Sequence, residues 1–264
     1  MSASIACVDA FTDRAFAGNP AAVCVLDEPR DARWMQQLAA EMNLAETAFV
    51  VREPGGFGLR WFTPAVEVDL CGHATLAAAH TLWSDGIVPG GEAMEFRTRS
   101  GRLGASRREG LIELDFPAEP AVEVAAPTGL ATALGTPLRW TGRNRMDYFV
   151  EIEGGDSELR GIVPDLASIG KLDARGLIVT CHGDGTAYDF VSRFFAPQSG
   201  INEDPVTGSA HCCLGPYWAA RLNRTSLVGF QASLRGGEVR VRVNGPRVTL
   251  AGRAVTVYSG MLQI

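Results

Sequence analysis

The chain carries one pattern twice, and that repeat limits its fold more than any other feature. Arg60-Trp61-Phe62-Thr63-Pro64 returns 133 positions later as Arg193-Phe194-Phe195-Ala196-Pro197, in a sequence of 264 residues. Behind each copy a polar loop leads into small residues that read as a helix start, His73-Ala74-Thr75-Leu76-Ala77 in the first case and Thr207-Gly208-Ser209-Ala210-His211 in the second. Such a period is too long for a solenoid unit and fits a duplicated domain. Two domains are expected, 1–117 and 118–264, with the last strand, Ala254 to Tyr258, able to pair in either. Function is then to be sought in the cleft that two such domains make.

Apolar residues make up 46% and charged residues 20% of the chain, so each half can bury a core without disulfide or metal staples. The net charge of −6, with basic residues scattered, argues against a phosphate backbone as partner, and no nucleic acid is expected. The opening Met1-Ser2-Ala3-Ser4-Ile5-Ala6-Cys7 lacks a charged segment followed by an apolar one. No run approaches the roughly 20 apolar residues of a membrane span, and a soluble, cytoplasmic protein without a membrane partner is the expectation. The six cysteines show no C-x-x-C spacing and two are adjacent, Cys212 and Cys213, which fits neither a zinc cluster nor a disulfide framework. No metal is expected.

Each half reads as strands around one central helix. In the first, Ile5 to Phe11 and Ala21 to Leu26 form a hairpin about Ala17-Gly18-Asn19-Pro20, and a helix begins at Asp31 with Trp34, Met35, Leu38, Ala39 and Met42 at helical spacing. Leu44 to Val51 and Leu59 to Phe62 follow as strands. Gly72 to Ser84 is a helix apolar nearly all round, as expected of one wrapped by sheet. Met94 to Thr98 and Leu111 to Phe116 close the half, with Ser100-Gly101 turning between them, and Pro117 to Pro127 crosses to the second half. There the order is Tyr148 to Ile152, a short helix Asp165 to Gly170, Leu177 to Cys181, Tyr188 to Phe195, a helix Ser209 to Leu222, and a hairpin Val239 to Leu250. Pro216 falls inside the second central helix, where it should kink the helix or leave one carbonyl unpaired.

The two helix starts are the first place to look for chemistry. Gly72-His73-Ala74-Thr75 and Thr207-Gly208-Ser209-Ala210 offer hydroxyls and unpaired N–H groups at the positive end of a helix, and two such ends can clamp a carboxylate. The same residues also suit ordinary N-capping by Thr75 and Ser209. Glu46 interrupts the otherwise apolar strand Leu44 to Val51. It is either an edge residue reaching solvent or a desolvated carboxylate with a raised pKa, fit to accept protons near neutrality. In the repeat its partner position, about Val179, is apolar. His73, one of four histidines, either passes a proton or serves as a structural hydrogen-bonder. Asp204 either caps the turn that follows it or joins the chemistry. Cys71, beside a helix N-terminus, is expected to have a lowered pKa, and its match in the second half falls near Pro205 rather than on a second thiol.

These residues resemble a known family. Phe16-Ala17-Gly18-Asn19-Pro20, Asn43-Leu44-Ala45-Glu46-Thr47, Phe62-Thr63-Pro64 with Glu67, Cys71-Gly72-His73-Ala74-Thr75, Ser100-Gly101, Asp115-Phe116-Pro117 and Glu203-Asp204-Pro205-Val206-Thr207-Gly208-Ser209-Ala210 are similar, in order, to the motifs of the PhzF-like phenazine-biosynthesis isomerases. The resemblance implies an α+β diaminopimelate epimerase-like fold: two pseudo-symmetric domains, each a curled mixed β-sheet around a central α-helix. It implies proton transfer without a cofactor, with Glu46, His73 and Asp204 as catalytic residues. Asn19, Gly72, Ala74, Thr75, Gly208 and Ser209 would bind the substrate, a small carboxylate, and the chain would form a homodimer. Cys71-Gly72-His73 also resembles the motif of proline racemases, whose second cysteine is missing here. Three readings follow: a cofactor-independent isomerase, an epimerase or racemase using Cys71, and a carboxylate-binding protein without turnover.

Overall fold

Strand pairing gives the sequence repeat its physical form. The computed structural model of the chain describes residues 3–183 and 187–263; Met1 and Ser2 of the opening stretch lie outside it. The chain divides into a unit of Met1–Phe116 with Thr249–Ile264 and a unit of Pro117–Val248.

The first unit runs β1 (Ala3–Ala10), β2 (Asn19–Leu26), α1 (Ala32–Met42), β3 (Glu46–Glu53), β4 (Gly56–Phe62), β5 (Glu67–Val68), α2 (Gly72–Ser84), β6 (Met94–Thr98), β7 (Gly101–Arg108) and β8 (Leu111–Pro117). In the second come β9 (Val122–Glu123), α3 (Leu130–Leu134), β10 (Leu138–Arg143), β11 (Asp147–Ile152), α4 (Asp156–Gly161), α5 (Leu166–Ile169), β12 (Gly176–His182), β13 (Phe190–Phe195), α6 (Gly208–Leu222), β14 (Ser226–Gln231) and β15 (Gly237–Asn244). Then follow β16 (Arg247–Gly252) and β17 (Ala254–Met261).

From β1 through β2, β3, β4 and β6 to β7, successive pairs are antiparallel, parallel, antiparallel, parallel and antiparallel. From β10 through β11, β12, β13 and β14 to β15 the directions are the same. α2 occupies the crossover from β4 to β6, and α6 that from β13 to β14, so both central helices fill one slot of a duplicated plan. The last strand, β17, pairs antiparallel with β1.

This register corrects two sequence-based equivalences. Thr47 pairs with Phe62, and Leu177 with Phe195; since Phe62 and Phe195 are matching residues of the repeat, Glu46 corresponds to Gly176 and not to Val179. The helices are capped at Cys71 and Thr207, so Cys71 matches Thr207 rather than Pro205. The offsets drift because the loops behind the repeated motif differ in length.

Local sequence explains the elements that carry the site. Gly18, at φ +65°, makes the bend from β1 to β2, where a Cβ would lie 2.1 Å from the Ala10 carbonyl oxygen; a side chain there would displace Asn19, the first residue of β2. Asp31 caps α1 by accepting from the Trp34 N–H, and Asn43, left-handed at φ 50°, ends it three residues before Glu46. α2 is buried along almost its whole length, against β1, β2, β3 and β17, as its all-round apolar sequence requires. Leu76 and Leu82 are fully enclosed, each worth about 1.5–3 kcal/mol of transfer free energy.

α6 meets its sheet at Gly215, where an added Cβ would fall 2.6 Å from Val241 Cγ1 and 3.4 Å from Val243 Cγ2. Gly215→Ala should therefore cost about 1–3 kcal/mol despite the better helix propensity of alanine, read as a lower urea midpoint at unchanged slope. The helix continues through Pro216. The carbonyl that proline cannot pair, that of Cys212, accepts instead from the Glu119 N–H at 3.0 Å.

The sequence reading missed β7, β10, β14, α3 and α4. In β7, Gly-Arg-Leu-Gly-Ala-Ser-Arg-Arg, only Leu103 and Ala105 are buried, so the apolar alternation is too thin to stand out. No helix among the described residues is long and apolar enough to cross a membrane.

Candidate active site

The repeated motif itself anchors the two helix-start loops. Arg60 grips Glu67 with two parallel hydrogen bonds, Nε to Oε1 at 2.7 Å and Nη2 to Oε2 at 2.8 Å, and Arg193 grips Glu203 in the same way at 2.7 and 2.9 Å. Each guanidinium also lies over the phenylalanine two residues on, Phe62 at 5.2 Å and Phe195 at 4.8 Å. Planar forks of this kind fix orientation as well as distance. Ser100 adds a bond from its hydroxyl to the Asp69 carbonyl at 2.7 Å, which holds the last turn before Cys71.

In the first unit these constraints bring Asn19, Glu46, Cys71 and His73 together. The His73 ring is nearly sealed from solvent. Its Nε2 lies 3.1 Å from Glu46 Oε2, an ion-pair approach rather than an aligned hydrogen bond. On the other side, Nδ1 lies 3.2 Å from Asn19 Nδ2 and 3.6 Å from Cys71 Sγ. Burial opposes charge on the ring, but the contact with Cys71 and the charge of Glu46 outweigh it and hold His73 well above its ordinary value. A neutral ring accepts the Asn19 amide hydrogen at Nδ1; a charged one needs the amide oxygen there, which a half-turn of the amide supplies.

Cys71 departs from expectation. Its thiol is pushed up, not down, because burial and then the Glu46 charge disfavour the thiolate more than His73 favours it. Proximity to a helix N-terminus does not compensate for the loss of water. The ligand atoms of Glu46, Cys71 and His73 lie within 4.8 Å of one another. The two nitrogens of His73 face different partners, so one metal ion could take all three residues only if the ring turned.

Thr75 and Ala74 are wholly buried, and the Thr75 hydroxyl donates back to the Cys71 carbonyl at 2.5 Å. Neither α2 nor α6 has a side-chain hydrogen bond at its cap, and the first turn of an uncapped helix can present N–H groups to an anion.

In the second unit Ser209 holds the place of His73, two residues past the cap. Its hydroxyl accepts from Arg175 Nη2 at 2.9 Å, and Arg175 is itself gripped by the fully buried Asp147, Nε to Oδ1 at 2.9 Å and Nη2 to Oδ2 at 2.5 Å. Arg175 directly precedes Gly176, the counterpart of Glu46. The duplicated plan thus carries an acid–imidazole pair in one unit and a guanidinium–hydroxyl pair in the other. Asp204 is buried and accepts the Thr207 hydroxyl on Oδ2 at 2.5 Å. Sequence reasoning did not reach Arg175, Asp147 or Gln231. Gln231 is a fully buried glutamine bonded to Asp204 and Thr207, and a polar residue closing a strand was its only signal.

His211, one turn along α6, is also enclosed. Its Nδ1 contacts the Thr207 carbonyl oxygen at 2.8 Å, and burial drives its pKa down from 6.5 to about 4. The unfolded chain therefore binds a proton that the folded chain refuses. The stability contributed by neutral His211 is complete above about pH 6.5 and is lost as the pH falls towards 4, by about 3 kcal/mol. Urea midpoints compared at pH 7 and pH 4 should fall less in His211→Gln, which cannot titrate, than in the wild type.

A family model described as phenazine biosynthesis-like protein matches residues 8–260. The chain belongs to that family. Its relatives include proteins named uncharacterized isomerases in Halalkalibacterium halodurans, 52% identical over 99% of both chains, and in Pseudomonas aeruginosa, 50% identical over 97% of both. A solved phenazine biosynthesis protein of the PhzF family from Enterococcus faecalis superposes with a TM-score of 0.95 at 42% identity, covering all of both chains. A hydroxyproline epimerase from Agrobacterium vitis shares the fold alone, at 11% identity and a TM-score of 0.67 over 99% of this chain and 92% of that one. The fold is the α+β, diaminopimelate epimerase-like one expected.

Proposed function

We propose that the protein is a cofactor-independent isomerase of small carboxylates. Glu46 removes a proton from a carbon next to a carboxylated or conjugated system, and Glu46 or His73 returns one to another carbon of the same molecule; Asp204, in the second unit, is read as a further acid–base residue. The observation that carries this reading is the Glu46–His73 pair, 3.1 Å apart and largely shielded from water, with the imidazole held from behind by Asn19. An acid–base pair of that kind is suited to passing protons. Ser209, whose oxygen is occupied as an acceptor by Arg175, has its own O–H left to donate, and with the backbone N–H of Gly208 it is assigned to binding a carboxylate. The names of the relatives, isomerases among them, support the same class of reaction.

A screen in deuterated water tests this. Small aromatic and amino-acid carboxylates are incubated with the protein and followed by NMR for solvent deuterium at carbon. At least one is expected to exchange with the wild type and not with Glu46→Gln. A carboxylate that binds tightly yet never exchanges would point instead to a binding protein.

The close Cys71–His73 contact favours one second reading, an epimerase with Cys71 as a base. Its raised pKa and burial argue for an inert thiol, and Cys71→Ser should keep turnover within a factor of about ten of wild type. A complete loss in that variant, with Glu46→Gln still active, would transfer the reaction to the thiol.

A further inference from the structure

The first unit gathers charge at a second place, apart from Glu46 and His73. A hollow of about 240 Å³ opens beside the second half of α2, with Asp13, His80, Arg107 and Arg253 in its walls. That volume is below the roughly 300–1,000 Å³ of sites for drug-sized ligands and suits a small ion or headgroup. Arg107 reaches the hollow from a rigid hairpin. Glu109 and Gly110, at φ 52° and 79°, make the two-residue turn from β7 to β8, and Arg107 stands opposite Ile112, which is buried. Side chains of a directly opposed pair share one face of the sheet. Arg107 therefore continues the inward row of Leu103 and Ala105, while Arg108 falls on the other face. Arg253 enters from the link between β16 and β17, where its carbonyl accepts the Thr12 N–H at 3.2 Å.

Neither guanidinium makes a hydrogen bond or an ion pair with any described residue. Asp13 shares the hollow without pairing with either, so the walls hold two positive charges against one negative while His80 is neutral. The imidazole is kept neutral by its surroundings: burial, and then the charge of Arg107, push its pKa down against a smaller opposing pull from Asp85. Its Nε2 lies 3.0 Å from the Thr256 hydroxyl and 3.4 Å from that of Ser84, which fixes the ring at the edge of the hollow.

We propose that this hollow binds a small dianion of the phosphate or sulfate type, held between Arg107 and Arg253 with His80 as a third contact. Such an ion supplies the counter-charge that both guanidiniums lack, and their planar forks of donors suit its oxygens. The site belongs to the first unit alone. His80 stands nine residues past the cap of α2, and the residue nine past the cap of α6 is Pro216, which has no side-chain donor to offer. The site is also independent of the proton-transfer reading, since His80 lies about two turns along α2 from His73.

The test is binding followed by NMR of the histidine rings, with His80→Gln identifying the signal among the four histidines. Inorganic phosphate, added at constant ionic strength with sodium chloride, should shift the His80 ring signal saturably, and sulfate should compete. A bound dianion also favours the charged ring, so His80 should titrate at higher pH in saturating sulfate than in chloride. Arg107→Gln and Arg253→Gln should each weaken phosphate binding about tenfold, the lower end for a hydrogen bond to a charged group. Asp13→Asn should strengthen it. Arg108→Gln, beside Arg107 but on the other face of the hairpin, should leave it unchanged. A His80 signal that does not move saturably with phosphate overturns the proposal, and so does an Arg108→Gln effect as large as that of Arg107→Gln, which would mean diffuse attraction to surface charge. Glycerol 3-phosphate settles the source of the dianion: tighter binding than inorganic phosphate assigns the site to an organic phosphate monoester, and equal or weaker binding assigns it to the free ion.

Discussion

Glu46→Gln should lower turnover about 10²- to 10⁴-fold on any substrate the wild type isomerises, the range spanned by loss of a general base. Glutamine keeps the length of the side chain, so the variant should still fold and the loss should appear in kcat. The substitution also removes one of the charges that keep His73 protonated. Because the folded His73 value is raised, its contribution to stability is complete below about pH 6.5 and is lost as the pH rises through the folded value. In Glu46→Gln that contribution should shrink, and stability should depend less on pH on the alkaline side of neutrality. Unchanged turnover in this variant sinks the assignment of Glu46.

The largest structural effect is expected at the other pair. Arg175→Met strands the Asp147 carboxylate, which has no exposed surface and is paired with Arg175 at 2.5 Å. Removing one member of a buried pair costs about 3–5 kcal/mol, because an uncompensated charge stays behind. Replacing both, Arg175→Met with Asp147→Leu, should recover most of that stability, since an apolar pair of similar size carries no desolvation cost. Turnover should stay low in the double variant, because Ser209 has lost the guanidinium that orients its hydroxyl. Urea unfolding of the two single variants and the double closes a thermodynamic cycle. Additive losses would show that Asp147 and Arg175 are not coupled.

The sequence made some of this legible and hid the rest for physical reasons. Glu46 stood out because a charge interrupting an apolar strand is costly unless it has a partner, and His73 because a titratable ring sat among small residues at a helix start. The repeat located both central helices, since a helix wrapped by sheet must be apolar on every side. Arg175 and Asp147 were hidden because each reads as an ordinary turn residue; their meaning lies in a parallel strand pairing, Asp147 beside Gly176, that joins residues 29 apart. Capping by Thr75 and Ser209 was a fair local expectation, but both hydroxyls are drawn off, one to the Cys71 carbonyl and one towards Arg175. Cys71 shows the same limit, since burial is a tertiary property that no dipeptide announces.

The pairing of β1 with β17 also orders events during synthesis. The first unit pairs its first strand with residues made long after it, Ser4 meeting Met261 and Ala10 meeting Ala254, whereas the second unit is contiguous between residues 117 and 248. Of the two units, the one begun first is therefore the one that cannot close until β17 has been made. During that interval β1 has β2 on one side and an open edge on the other, the kind of surface that recruits the wrong strand. In a duplicated chain the wrong strand is close at hand: β10 opens the same series of pairings in the second unit as β1 does in the first.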